Sequence, residues 1–208
     1  MYTVILQAIG LATAAWIAYL SQPGSSLFSW HPTLMSFAFL VAMPNGIFAL
    51  SRNHPLYASA KLSSKVTIHL LSQLVAVSSA LIALATIITN KDNNKADHFT
   101  TRHGLIGLIT CIAMVGATSG GVLANNAQLV KAFIKPAAMK SIHAFAAGCA
   151  VYPLAMTTIV LATYSNFLVS ALPIAYMRYT IAGVATIMAV AVYVQVSQRG
   201  ARKTVRAD

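Results

Sequence analysis

Six stretches of this chain stay apolar for long enough to cross a bilayer. Residues 2–20, 31–51, 65–89, 103–124, 139–163 and 173–196 are dominated by Leu, Ile, Val, Ala, Met and Phe. Each runs for about 19 to 25 residues, which at 1.5 Å per residue covers a hydrocarbon core of roughly 30 Å. Between them lie short polar runs, 21–30 with Pro23-Gly24, 52–64, 90–102, 125–138 and 164–172. The pattern predicts an all-α membrane protein, a six-transmembrane-helix bundle with no room for a soluble domain. The whole of 1–208 is therefore expected to be a single transmembrane domain. The first stretch has no basic leading region, and its length favours a retained helix over a secretory signal. Pro44-Asn45-Gly46, inside the second stretch, predicts a kink whose freed backbone groups need partners elsewhere.

Composition agrees with this class. Charged residues are 8% of the chain, apolar residues 58%, and the mean hydropathy is +0.72, values that exclude an ordinary soluble domain. The net charge of +11 does not point to nucleic acid, because the cations sit in short loops and a tail and form no basic face. They set the orientation instead. Arg52, Lys61, Lys65, Lys131, Lys135, Lys140, Arg199, Arg202, Lys203 and Arg206 fall on one side of the bundle. Only Lys91, Lys95, Arg102 and Arg178 fall on the other, with Asp92 and Asp97. By the positive-inside rule both termini are expected in the cytoplasm. An endomembrane, endoplasmic reticulum or vesicle, is expected over the plasma membrane. Cys111 and Cys149 lie inside apolar stretches and form no C-x-x-C pair, so neither staples a loop.

The candidate chemistry lies in the histidines. His31, His69, His103 and His143 stand near the starts of stretches two, three, four and five. Successive spans run in opposite directions. His31 and His103 therefore fall near the non-cytoplasmic face, and His69 and His143 near the cytoplasmic one. Ionisable residues at membrane depth are costly and face the bundle interior. Neutral imidazole is a good axial ligand for haem iron, and two pairs at two depths suit two haems stacked across the bilayer. On the same helix faces follow Ala146, Ala147 and Ala150 after His143, Ile106, Gly107 and Thr110 after His103, and Ser72, Gln73 and Ala76 after His69. Small side chains leave space for a porphyrin, although they also let membrane helices pack closely. Leu34, Met35 and Ala38 after His31 are less permissive. His54 and His98 read as exposed loop histidines.

The run SSLFSWHPTLMSFAF around His31, TTRHGLIG around His103, and the helix-start residues His69 and His143 together resemble the eukaryotic cytochrome b561 family. The match is closest to its cytochrome b561 domain-containing subgroup. The resemblance implies a four-helix di-haem core in helices 2–5 and two b haems per chain. His69 and His143 would hold the cytoplasmic haem, and His31 and His103 the other. It further implies a transmembrane oxidoreductase that carries electrons from cytoplasmic ascorbate to monodehydroascorbate or ferric iron on the far side, and a homodimer. The family's ascorbate site uses basic residues near the mouth of the third helix. Lys61, Lys65 and Lys140 occupy comparable positions, where they serve equally well as positive-inside anchors. One departure stands out. Ascorbate-using members carry Ser-Leu-His-Ser-Trp around the fourth-helix histidine, where this chain has Thr101-Arg102-His103-Gly104. Two other readings compete: a haem-free proton-coupled or metal-ion transporter using the histidines, and a haem b protein that oxidises a quinol.

Overall fold

The computed structural model describes residues 2–51 and 54–204, apart from the side chains of 127 and 199–204. All six apolar stretches are helices: α1 Tyr2–Ser21, α2 Leu27–Ala49, α3 Leu62–Asn93, α4 Arg102–Asn125, α5 Pro136–Ala162 and α6 Ala175–Thr204. No strand occurs among the described residues. Each helix is long and apolar enough to span a membrane, and the chain is an integral, multi-pass membrane protein. Of the cations from which the orientation is expected, Arg52 and Arg206 lie outside the described residues, as do the side chains of Arg199, Arg202 and Lys203.

The ends of the helices follow from local chemistry. α2 begins at Leu27, inside the segment expected to be a loop, because Ser26 and Ser29 cap it reciprocally. Ser26 Oγ accepts the Ser29 N–H at 3.2 Å, and Ser29 Oγ accepts the Ser26 N–H at 3.4 Å. His31 therefore stands a full turn inside its helix, not at its mouth. α4 starts after Thr101, whose Oγ1 accepts the Gly104 N–H at 3.1 Å. α5 opens on Pro136, where a missing N–H costs nothing.

Two helices widen ahead of a proline. α2 forms a π turn at Phe37–Ala42, closed by a bond from the Met43 N–H to the Ala38 carbonyl. α5 does the same at Ala147–Val151, where the Tyr152 N–H reaches the Ala147 carbonyl. Pro44 and Pro153 follow one residue later. A proline ring presses on the carbonyl four residues back and donates nothing to it, and an extra residue in the turn relieves that conflict. The partners expected for the kinked segment of α2 are present. Met43 O accepts from Gln73 Nε2 at 3.0 Å, Gly46 O from His69 Nδ1 at 3.0 Å, and Ile47 O from Gln195 Nε2 at 3.1 Å. Gly46 and Ile47 are among the last four carbonyls of the helix, which have no partner within it.

α1 packs on α2, α2 on α3, α4 on α5, and α5 on α6. Lipid tails are as apolar as Leu, so these contacts rest on close fit and on interhelical hydrogen bonds. At Gly10 a Cβ would collide with the Leu40 carbonyl, so glycine lets α1 lie directly against the kinked helix. Phe39, Leu40, Phe48, Tyr152, Met156 and Met188 are fully buried in the resulting core.

Candidate functional site

The four histidines come together as two pairs. The rings of His31 and His103 have their centres 6.2 Å apart and their planes at 80°. Those of His69 and His143 lie 6.1 Å apart at 78°. All four are half-buried. The pairing is the one expected from the alternating helix directions.

Three of the four rings are braced from a neighbouring helix. His31 Nδ1 lies 3.1 Å from the Ala83 carbonyl, His69 Nδ1 3.0 Å from that of Gly46, and His103 Nδ1 3.1 Å from that of Thr158. A carbonyl only accepts, so Nδ1 carries the proton in these three rings and the lone pair resides on Nε2. A backbone acceptor behind a histidine fixes the tautomer in this way at metal sites. His143 differs. Its Nδ1 is buried and turned toward the Ala117 carbonyl without closing a hydrogen bond of normal geometry.

The braces have a common register. Along α3, His69 and Ala83 are 14 residues apart, and along α4 His103 and Ala117 are also 14 apart. Along α2, His31 and Gly46 are 15 apart, as are His143 and Thr158 along α5. Each of the four helices thus supplies a ring at one level and a carbonyl at the other, with the levels roughly 21 Å apart by helix rise.

Do the pairs fit a haem? Two imidazoles bound on opposite sides of one metal, with bonds of about 2.0 Å and ring nitrogens about 1.1 Å from the ring centre, have centres roughly 6 Å apart. Both pairs meet that requirement. Among the described residues no three His, Cys, Asp or Glu side chains converge on a point, so each level offers two protein ligands. The His31–His103 level opens into a cavity of about 670 Å³, lined near the rings by Met35, Gly107, Leu108 and Thr158 and at its mouth by Lys91 and Arg102. That volume lies within the range of small-molecule and cofactor sites. At the other level Gly121 makes the room: a Cβ there would stand 2.8 Å from His143 Cε1.

The structure corrects two expectations of the sequence. His54 is fully buried, not an exposed loop histidine. Ser72 and Gln73 are not spare volume beneath His69, because Ser72 Oγ accepts from Asn45 Nδ2 at 2.9 Å and Gln73 binds Met43 O. His98 is partly exposed and pairs with Asp92 Oδ1 at 2.7 Å. Of the three lysines, Lys61 and Lys140 are exposed, whereas Lys65 is buried.

A sequence model of eukaryotic cytochrome b561 matches residues 30–169, a segment that contains all four histidines. The chain belongs to the eukaryotic cytochrome b561 family. A mouse member named probable transmembrane reductase CYB561D1 is 30% identical over 162 residues, covering 78% of this chain and 70% of the mouse protein. Human transmembrane reductase CYB561D2 is 37% identical over 114 residues, 55% of this chain, and the bovine protein of that name is 36% identical over the same length. This chain spans about half the length of those CYB561D2 relatives. Membership in the cytochrome b561 family implies haem b as the cofactor.

Proposed function

We propose that this chain is a transmembrane reductase with two b haems, one between His69 and His143 and one between His31 and His103. The observation that carries the reading is the pair of ring–ring distances, 6.1 and 6.2 Å, repeated at two levels of one four-helix core. Bound haem supplies a one-electron redox couple at each level. The protein's part is to hold the rings, exclude water and set the local charge. The 208 residues act as one cytochrome b561-type domain.

Ascorbate in the cytoplasm is the proposed donor, with monodehydroascorbate or ferric iron the acceptor on the other side. The loop cations support a cytoplasmic position for the His69–His143 level. Lys65 supports an anionic partner there. It is buried four residues before His69 and makes no ion pair among the described residues, so a donor anion or a propionate would satisfy it. Lys61 and Lys140, exposed at the same end, complete the proposed donor surface. At the other face Lys91 and Arg102 frame the mouth of the cavity and favour an anionic acceptor. The protein works in an endomembrane, with both termini cytoplasmic and as a homodimer.

The test is a pyridine haemochrome count on the purified protein, followed by ascorbate under argon. Two b haems reduced by ascorbate are expected. Two haems that respond only to a quinol overturn the donor assignment. Absence of haem after expression with ample haem supply overturns the reading and leaves proton or metal transport.

A further inference from the structure

A chain of hydrogen bonds links the loop after α2 to the His69 brace, and its direction is set at one point. The Leu56 N–H donates to His54 Nδ1 at 3.2 Å, so the His54 proton resides on Nε2, which donates to Gln7 Oε1 at 2.9 Å. With its oxygen engaged, Gln7 turns Nε2 to Asn45 Oδ1 at 3.0 Å. Asn45 in turn points Nδ2 at Ser72 Oγ, 2.9 Å away. Tyr57 stacks on His54 with centres 4.6 Å apart and sends its hydroxyl toward Asn45 Oδ1 at 3.4 Å. Each amide has one orientation available, because the preceding bond fixes which end donates.

The chain terminates on both sides of His69. Asn45 precedes Gly46, whose carbonyl holds His69 Nδ1. Ser72 lies three residues after His69 on the same helix, hence on the same face. The kinked segment 43–46 lacks part of its own ladder and so depends on such outside contacts for its position. Burial and the nearby Lys65 ammonium keep the His54 pKa below its ordinary value. The ring therefore stays neutral, the form this chain of bonds requires.

We propose that Gln7 and His54 are positioning residues for His69, setting the orientation of the ring at the cytoplasmic level through Asn45 and Gly46. The inference rests on the reading that His69 and His143 face one haem iron. Outer partners of a metal-binding histidine typically change affinity or activity by about 10- to 100-fold when removed. An effect confined to one level would separate this role from general loosening of the bundle.

The experiment compares Gln7→Ala, His54→Ala, His54→Gln and Tyr57→Phe as holoproteins, by haem count and low-temperature electron paramagnetic resonance. A His143→Ala variant assigns the signal of each level. Both alanine variants are expected to retain two haems and to displace the low-spin signal of the His69–His143 level only. Their reduction by ascorbate should slow about tenfold. His54→Gln keeps an N–H for Gln7 and restores the parent signal. Tyr57→Phe, which leaves the packing intact, moves the same signal less and serves if the alanine variants do not fold. Signals that stay in place, or that move equally at both levels, overturn the inference. A parent without two haems overturns the di-haem reading instead.

Discussion

His69 and His143 face each other across 6.1 Å, yet only His69 has a normal hydrogen bond behind it. On the proposed assignment both are indispensable all the same, since one iron needs both rings. His143→Ala is expected to halve the haem content and to leave the His31–His103 signal intact. His103→Ala should do the converse. A haemochrome count with resonance spectra decides it, and full occupancy in either variant removes that residue from the ligand set.

Gly121 is the second expectation. An alanine there would bring its Cβ to 2.8 Å from His143 Cε1, and the ring, which lacks a normal brace, would give way. Overpacking of this kind costs about 1–3 kcal/mol. It should appear as reduced occupancy of the His69–His143 level and a lower melting temperature. Gly183→Ala is the control, since a Cβ at Gly183 meets nothing within 4 Å.

Lys65 separates a binding role from an anchoring one. If its ammonium pairs with the donor, Lys65→Gln should raise the KM for ascorbate about tenfold, the worth of one charge-assisted hydrogen bond. Reduction by dithionite should be unchanged. The same substitution at exposed Lys61 or Lys140 should have a smaller effect. Steady-state reduction of the protein in proteoliposomes measures all three.

His54 gives stability a pH dependence of known sign. Its folded-state pKa is lowered from the ordinary 6.5 by burial and by Lys65, so between the two values the unfolded chain binds more protons. Stability from this group is fully present above about pH 6.5 and falls as the pH drops below it. His54→Gln should flatten that part of the melting-temperature profile relative to the parent. Parallel profiles would show that His54 is not responsible.

The ligand candidates were legible because an imidazole in an apolar span has few reasons to be there, and helix direction alone sorted four of them into pairs. The start of α2 at Leu27 is not legible in the sequence. Pro23-Gly24-Ser25-Ser26 reads as a loop throughout, and only the reciprocal bond between Ser26 and Ser29 turns the next residues into helix. The partner of the buried His54 is Gln7, 47 residues away, a distance over which no local pattern carries information. The interhelical bonds of Gln7, Asn45, Gln73 and Gln195 are not legible residue by residue, although the presence of amides in apolar spans is itself a signal. Amides in apolar helices are held by partners, as ionisable groups are. The π turns are local compromises around Pro44 and Pro153 and become visible only with the backbone.

The shared register of 14 or 15 residues pins α2 and α3 to each other at both levels and α4 and α5 at one. Sliding α2 past α3 by a turn, about 5.4 Å, would break the His31–Ala83 and His69–Gly46 bonds together. Substitutions around either level can change local charge and polarity, and with them a redox potential. On the proposed assignment, the gap an electron would cross is written instead into the count of peptide units between ring and carbonyl along each helix, which a side-chain substitution leaves unchanged.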